Sequence, residues 1–460
     1  MFLVACVPYF IDFQIAEGVR LNLHRLVLVA TLVLLIGSWI IRNNPGSPVR
    51  VMERTRGGGR MILAVACAHF LCLVMSGVAS GEGLPIFLAV NAIATNLGVL
   101  LVAIEVCRRE PSMAGYYQVL LASVAVVAMI VAVEAVLGHS VFRDFVQEDR
   151  NNTLNSGGLL REGATRFKGP FDHALTLAQY VVVVFPIILF SAPVRLSGLI
   201  IKVIIGSVLG GLVALTRSRY GAMIYLLQIV ASVMIPVQNA TRRLIFKRGS
   251  ALSILGIVAV MVPVAILASG DLGIDEYFGR DLFDANVRDV QFANGMLALQ
   301  DRPWLGYGLG DNAREAIYAK ALSGDGEFMW ERNAGSIDNY YLSVAVGSGI
   351  PSVFLFILMH LSLLAVATWR LPRIWRNSIA EGGRNHLVFV GYLLSYLSGI
   401  ISMTVLSIFS IHSLIYTSMG VVFYFCFVSP LGALRSAGSR RDRLRQTFDD
   451  INSASNRSAA

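Results

Sequence analysis

The sequence predicts an all-α polytopic membrane protein. Of its 460 residues, 55% are hydrophobic and only 15% are charged, and the mean hydropathy is +0.66. An ordinary soluble domain of this length does not have such a composition. The apolar residues are also grouped in runs long enough to cross a bilayer as helices. The net charge of +9 does not indicate nucleic-acid binding, because the basic residues gather in the loops that follow these runs.

The apolar runs predict about twelve transmembrane helices. The first run is interrupted by Asp12 and has neither a basic leader nor a small-residue cleavage pattern, so it is interpreted as an uncleaved first span. The predicted spans cover residues 2–18, 25–41, 61–80, 83–107, 115–137, 173–191, 196–215, 219–237, 251–269, 339–368, 386–408 and 411–429.

Basic residues in the short loops predict the orientation of the chain. Lys and Arg collect on the cytoplasmic side of a membrane, and here they occur in alternate loops, from Arg50–Arg60 through Arg370–Arg384 to the tail. Both termini are therefore predicted to be cytoplasmic, and the two long polar stretches are predicted to face the periplasm or the cell exterior. The predicted order is N-terminal transmembrane helices (1–137), a first periplasmic loop (138–172), central helices (173–269), a large periplasmic loop (270–338), C-terminal helices (339–429) and a basic cytoplasmic tail (430–460).

The first outer loop ends in a basic segment that includes Arg166, Lys168 and His173. Basic groups on the outer side run against the usual charge bias, so their presence needs a reason. Binding of a phosphate at the outer leaflet is one explanation. Pairing with lipid headgroups or with acidic residues of the same loop is another, and His173 could be a structural residue.

A second basic group separates two apolar runs at Thr216–Arg219. The connection is so short that Arg217 and Arg219 lie at the level of the membrane, where an unpaired cation costs several kcal/mol. This placement predicts an anion-binding site, with contact to lipid phosphates as the alternative. Ser218 could cap the following helix, whose first amides would add a second anion-binding element.

The large outer loop carries further candidates. Arg280 and Arg288 lie at or before an amphipathic stretch, VRDVQFANGMLALQ, that predicts a short surface helix ending at Arg302–Pro303. The Gly-rich run around Tyr307 follows as a tight irregular loop. It is not a nucleotide-binding loop, because it lacks a GK[ST] ending and does not connect a strand to a helix.

The re-entry into the membrane reads Asp338, Asn339, Tyr340. A carboxylate at a helix start can be a helix cap, which stabilises a helix by about 0.5–2 kcal/mol. It can equally be a general base that takes a proton from a hydroxyl. The residues alone leave both alternatives open.

Metals and cofactors are not predicted. The cysteines all lie inside or at the ends of apolar runs, which indicates neither a disulfide framework nor a zinc site. A DxD-type pair placed for a nucleotide-sugar metal site is also not evident.

Taken in order, the motifs resemble those of the O-antigen ligase and Wzy-type polysaccharide polymerase superfamily. The motifs are RxxGPFxH, TxSRxG between two spans, R…RPWLGYGLGD, and DNxYL before a Gly-containing helix, over about residues 160–430. The resemblance implies a glycosyltransferase type C-like fold, with periplasmic transfer of a glycan from undecaprenyl diphosphate and no metal or cofactor. It also implies that Arg219 and Arg288 match the arginines that bind the diphosphate. In the ligases the first position of the DNxYL motif holds a proposed catalytic His, whereas here it holds Asp338. An Asp at this position resembles the exopolysaccharide polymerase branch of the superfamily.

The combined prediction is a polymerase of lipid-linked repeat units for exopolysaccharide or O-antigen. Departure of a diphosphate from a sugar needs cations, and the attacking hydroxyl needs a base; the sequence has both at one side of the membrane. Expected partners are the undecaprenyl diphosphate-linked glycan, membrane lipids, and a chain-length regulator and flippase of the same pathway. Two alternatives remain: an O-antigen ligase that transfers glycan to lipid A-core, and a flippase for the same glycan, which would be expected to have two related halves.

Overall fold

A computed structural model describes residues 12–16, 19–22, 58–110, 113–142, 160–161, 164–171, 173–191, 196–240, 286–323, 339–380, 385–403 and 412–429, and nearly all of them are helical. The helices of the first half of the chain are α1 (Gly58–Ala79), α2 (Gly83–Arg109), α3 (Ala114–Leu137), α4 (Ala174–Ser191), α5 (Leu196–Thr216) and α6 (Arg219–Ala240).

The second half contains two short helices followed by longer ones. These are α7 (Asn286–Asp301), α8 (Asp311–Ser323), α9 (Tyr340–Ala380), α10 (Asn385–Met403) and α11 (His412–Phe423), which continues into a π-helical turn (Tyr424–Val428). Helix α7 confirms the short helix predicted in this loop, which ends where Arg302–Pro303 was expected to end it, whereas α8 was not predicted. The apolar residues of α7 do not share one covered side, since Phe292, Met296 and Leu297 are exposed.

Six of these helices are long and apolar enough to cross a membrane, namely α1, α2, α3, α4, α9 and α10. Three more predicted spans correspond to α5, α6 and α11, whose apolar parts are shorter: Lys202–Thr216, Tyr220–Ala231 and Leu414–Val428. The predicted spans 25–41 and 251–269 lie outside the described residues. The prediction of a helical protein with many spans is confirmed, whereas the number twelve stays a prediction.

The chain also contains two short antiparallel hairpins, β1–β2 (Asp12–Ala16 and Val19–Asn22) and β3–β4 (Leu160–Arg161 and Ala164–Thr165). The first hairpin contradicts the prediction of a helical span over residues 2–18. The alternation of polar and apolar residues in Asp12–Phe13–Gln14–Ile15 suits a strand. The strictly all-α prediction is corrected in this respect.

Helix α4 is the centre of the bundle and is buried along nearly its whole length. It packs against α10, α5, α6 and α3, while α1 packs against α9 and α2 against α11. A continuous apolar core joins these helices. Because α4 is fully enclosed, the segment that precedes it is held in a defined position at one end of the bundle.

Helix α9 is interrupted at Gly349, whose backbone (φ 84°, ψ 167°) is not helical. The loop between α7 and α8 satisfies the freed backbone groups, since Ile350 N–H donates to Pro303 O at 2.8 Å and Gly308 N–H donates to Gly347 O at 2.8 Å. The Ser76 hydroxyl of α1 donates to the same Gly347 carbonyl at 2.5 Å. The Gly-rich run is therefore a tight irregular loop, as predicted, and it contacts the break in α9.

The connections that carry the candidate residues lie at one end of the bundle. The Gly-rich loop approaches Ser80 and Pro85 at the α1–α2 turn, and Phe167 contacts Leu215 at the end of α5. Since consecutive spans alternate in direction, the α1–α2 turn, the end of α3, the start of α4 and the α5–α6 turn all fall on the same face.

Candidate functional site

The turn between α5 and α6 is built from its own hydroxyl groups. Thr216 Oγ1 donates to Val213 O at 2.7 Å and accepts the Ser218 N–H at 3.2 Å. Ser218 Oγ accepts the Gly221 N–H at 3.1 Å, which confirms Ser218 as the cap of α6. Arg217 has φ 50°, an uncommon conformation for a residue other than glycine and one often found at functional sites.

The basic segment that precedes α4 lies against this turn. Arg166 Nε donates to Thr216 O at 2.8 Å, and Phe167 N–H donates to Leu215 O at 3.2 Å. Arg166 and Lys168 are both buried, with exposed fractions of 8% and 4%. The structure thus places the Arg166 side chain against the turn that contains Arg217, next to the N-terminus of α6, and places Arg166 and Lys168 near His173.

The third contact of this segment was not predicted. Gly169 N–H donates to Glu134 Oε2 at 2.8 Å, and Glu134 is fully buried in the last turn of α3. A sequence signal for it existed, because a carboxylate near a helix C-terminus is disfavoured by the helix dipole and so needs another reason to be there.

His173 is placed in the same group but is not a cation. Its Nδ1 accepts the Leu175 N–H at 3.1 Å, which leaves Nε2 as the protonated nitrogen of a neutral ring. Burial, together with the positive charges of Arg166 and Lys168, lowers the pKa of His173 to about 4. At neutral pH the ring can therefore donate one hydrogen bond to an anion without adding charge to the site.

Arg302 and Tyr307 belong to a second group of contacts, on the α7–α8 unit. The Arg302 guanidinium lies over the Tyr307 ring, 4.9 Å from its centroid. Tyr307 Oη donates to Asp301 Oδ2 at 3.5 Å, and Lys320 Nζ pairs with the same oxygen at 2.7 Å. Burial and the Asp301 carboxylate raise the pKa of Tyr307 above its usual value, so it is a neutral phenol at neutral pH. Arg302 is exposed and accessible to a ligand.

At the start of α9 the cap is Asn339. Its Oδ1 accepts the N–H groups of Tyr341 and Leu342 at 2.9 and 3.2 Å. Asp338 lies outside the described residues, but it directly precedes this cap. Tyr340 is 5% exposed and packs edge-on against His412, 4.5 Å between ring centroids, which favours a packing role for its ring.

The remaining candidates are described only in part. Arg219 and Arg288 belong to the first turns of α6 and α7, respectively. Arg280 lies outside the described residues.

Two helix starts converge on one turn of α10. Tyr220, which follows Arg219, donates its hydroxyl to Ser398 O at 3.5 Å, and Tyr341, three residues after Asp338, donates to Ile400 O at 3.1 Å. Ser398 and Ile400 are less than one helical turn apart. The arginine-bearing turn and the helix that follows the candidate base are therefore neighbours.

A comparison with known families gives one match. Residues 204–357 match the O-antigen ligase family. This O-antigen ligase region begins within α5 and ends within α9, so it contains the Arg217 turn, the α7–α8 unit and Asp338. The match confirms the resemblance recognised in the motifs, and the apolar helices indicate a multi-pass membrane protein. No curated protein matches the chain.

A metal-binding cluster does not occur in the part of the chain that the structure describes, where no three His, Cys, Asp or Glu side chains are grouped to hold an ion.

Proposed function

We propose that the protein polymerises oligosaccharide repeat units carried on undecaprenyl diphosphate, at the periplasmic face of a bacterial inner membrane. The product is an exopolysaccharide or O-antigen chain. One observation carries the proposal: the start of α6, with the cations around it, and the start of α9, directly after Asp338, contact the same turn of α10. A leaving diphosphate and an attacking hydroxyl need these two kinds of group side by side.

In the proposed reaction the acceptor hydroxyl attacks the anomeric carbon of the donor glycan. Asp338 takes the proton of this hydroxyl as the new C–O bond forms. The bond between the anomeric carbon and the diphosphate oxygen breaks, and the electron pair leaves with the lipid diphosphate. Arg217, Arg219 and Arg288 stabilise the developing negative charge, because guanidinium groups bind phosphate oxygens in pairs.

The segment at the start of α4 supports the same step. Arg166 lies against the turn that leads into α6, whose N-terminus favours anions, and Lys168 follows it two residues later in the same buried segment. Neutral His173 adds a hydrogen-bond donor. Arg302 and Tyr307, on the neighbouring unit, are proposed to contact the glycan part of the substrate.

Ligation of a finished chain to lipid A-core is the second candidate function, because the matching family is described as O-antigen ligase. Both reactions use the same donor chemistry and differ in the acceptor. We favour polymerisation because a carboxylate, Asp338, occupies the position at which the ligases are expected to have a histidine.

A deletion strain tests the proposal through the lipid-linked species that accumulate. Loss of a polymerase should leave single repeat units on undecaprenyl diphosphate at the outer leaflet. They are identified by mass spectrometry of extracted lipids, and their leaflet is assigned by treating spheroplasts with an impermeant glycan-modifying reagent before extraction. Full-length polymer that remains lipid-linked would instead identify a ligase. Repeat units trapped on the cytoplasmic leaflet would identify a flippase and contradict both transferase functions.

A further inference from the structure

Glu134 is a buried acid whose position needs an explanation. It lies in the last turn of α3 and is fully buried, although a helix C-terminus disfavours negative charge and burial disfavours any charge. The apolar core around it offers nothing that a carboxylate would favour. Its reason must therefore lie in the polar groups that it contacts.

Those groups belong to the basic segment before α4. Glu134 Oε2 accepts the Gly169 N–H at 2.8 Å. The backbone amide of Lys168 and the hydroxyl of Ser140 also face this carboxylate, and the charge of Lys168 is close enough to interact with it. A carboxylate that accepts backbone amides is a charge-assisted contact, roughly twice as strong as one between neutral groups.

The approach between α3 and the segment is close. Gly169 has φ 59°, and a Cβ atom on it would lie 2.8 Å from Val131 Cγ2 on the same helix. Only glycine can adopt this conformation without strain while also fitting against the helix. On its other side the segment is joined to the α5–α6 turn through Arg166 and Phe167. The segment thus bridges two elements, with Glu134 as its contact on α3.

We propose that Glu134 is a positioning residue for the anion site. By accepting the Gly169 N–H, it fixes the turn that holds Arg166 against the α5–α6 turn at Thr216–Arg217. This inference rests on the proposed function, in which these cations bind the diphosphate of the donor. Without the carboxylate the turn loses its contact on α3. Arg166 and Lys168 are then no longer held in position to bind the same diphosphate.

The contact predicts which substitutions matter. Glu134→Gln keeps an oxygen that can accept the Gly169 N–H, whereas Glu134→Ala removes it. Gly169→Ala should push the turn at Lys168–Gly169 away from α3, because the added methyl group would overlap Val131. Two matched controls exist: Glu105, a buried acid in the last turns of α2 that pairs with Arg108 and Arg109, and Gly138, which has φ 71° but open space around its Cβ position.

The test measures binding of undecaprenyl diphosphate to detergent-purified full-length protein by native mass spectrometry, with undecaprenyl monophosphate for comparison. Glu134→Ala and Gly169→Ala should each weaken binding of the diphosphate about tenfold, equivalent to one well-placed hydrogen bond, while Glu134→Gln stays within about threefold of the wild type. Glu105→Ala and Gly138→Ala should bind as the wild type does.

Each outcome decides between the inference and the proposed function. If Glu134→Ala binds the diphosphate as the wild type does while Arg166→Ala binds it more weakly, Glu134 has no positioning role. The proposed diphosphate site is then still supported. Wild-type affinity in Arg166→Ala as well overturns the diphosphate site itself. If Glu134→Gln and Glu134→Ala lose the same affinity for the diphosphate, Glu134 does not act by accepting a backbone N–H, because Gln keeps an acceptor oxygen and Ala does not. If Glu134→Ala protein cannot be purified, Gly169→Ala against Gly138→Ala decides the question.

Discussion

At the scale of single residues, the start of α9 distinguishes the helix cap from the candidate general base, two roles that the sequence leaves open for Asp338. Asn339 caps the helix through two backbone amides, so the preceding Asp338 is not needed for that purpose. A carboxylate that directly precedes a cap in the sequence, without being needed for capping, suits a general base. The sequence could predict a cap here but not which of two adjacent capping residues supplies it, because that depends on where helical geometry begins.

The assignment predicts a clean division between activity and stability. Asp338→Asn should abolish polymer formation and leave thermal stability unchanged, because proton acceptance is lost while size is kept. Asn339→Ala should lower the free energy of unfolding by about 1 kcal/mol, the usual cost of losing a cap. Polymer yield and melting temperature of the purified variants are the measurements, and Asp338→His should restore some activity. Wild-type polymer from Asp338→Asn would remove this residue from the mechanism.

His173 also belongs to this scale. Sequence reasoning treats it as one of the basic residues of its segment, but its pKa of about 4 makes it neutral wherever the enzyme operates. Burial depends on how a segment folds against its neighbours, so such a shift is not visible in the order of residues. The contact between Glu134 and the basic segment is likewise recognisable only once the segment is placed against α3.

At the scale of elements, α9 and the Gly-rich loop form a unit that sets the position of the helix start. Gly349 adopts a backbone conformation that is essentially restricted to glycine, and a Cβ on it would overlap the Trp304 carbonyl and lie 2.8 Å from Leu305 N. The break is therefore specified by the loop that contacts it. Sequence reasoning identified the loop as irregular, but not its partner, since the two are joined through backbone groups that carry no sequence pattern.

Replacement of Gly349 should therefore be far more damaging than replacement of an equally unusual glycine in open space. Gly349→Ala should destabilise the protein by more than about 3 kcal/mol, because strain and overlap with backbone add together. Gly81→Ala, at the α1–α2 turn with φ 75° and no atoms near its Cβ position, should cost only about 1–2 kcal/mol. Thermal unfolding in detergent compares the two. Similar melting temperatures for both variants would show that the loop does not hold the break in α9.

At the scale of the whole molecule, hydropathy was an accurate guide where apolar runs are long. The run 61–80 became α1 and the run 115–137 became α3, because a membrane allows little besides a helix for such a run. The same reasoning failed at residues 12–22, where polar residues alternate with apolar ones and a hairpin forms. The pairing of distant helices, such as α4 with α10, has no signal in a single sequence.

The orientation of the bundle in the membrane stays a prediction from the basic loops, and it can be measured. Residues 155, 250, 325 and 382 lie outside the described residues. The charge pattern predicts residues 155 and 325 in the outer loops and residues 250 and 382 in cytoplasmic ones. Cysteines introduced as Asn155→Cys or Asp325→Cys should react with an impermeant thiol reagent added to intact cells, whereas Ser250→Cys and Gly382→Cys should react only after lysis, with the unsubstituted chain as background. The reverse labelling would place the cations and Asp338 on the cytoplasmic side, where a polymerase of exported repeat units could not use them.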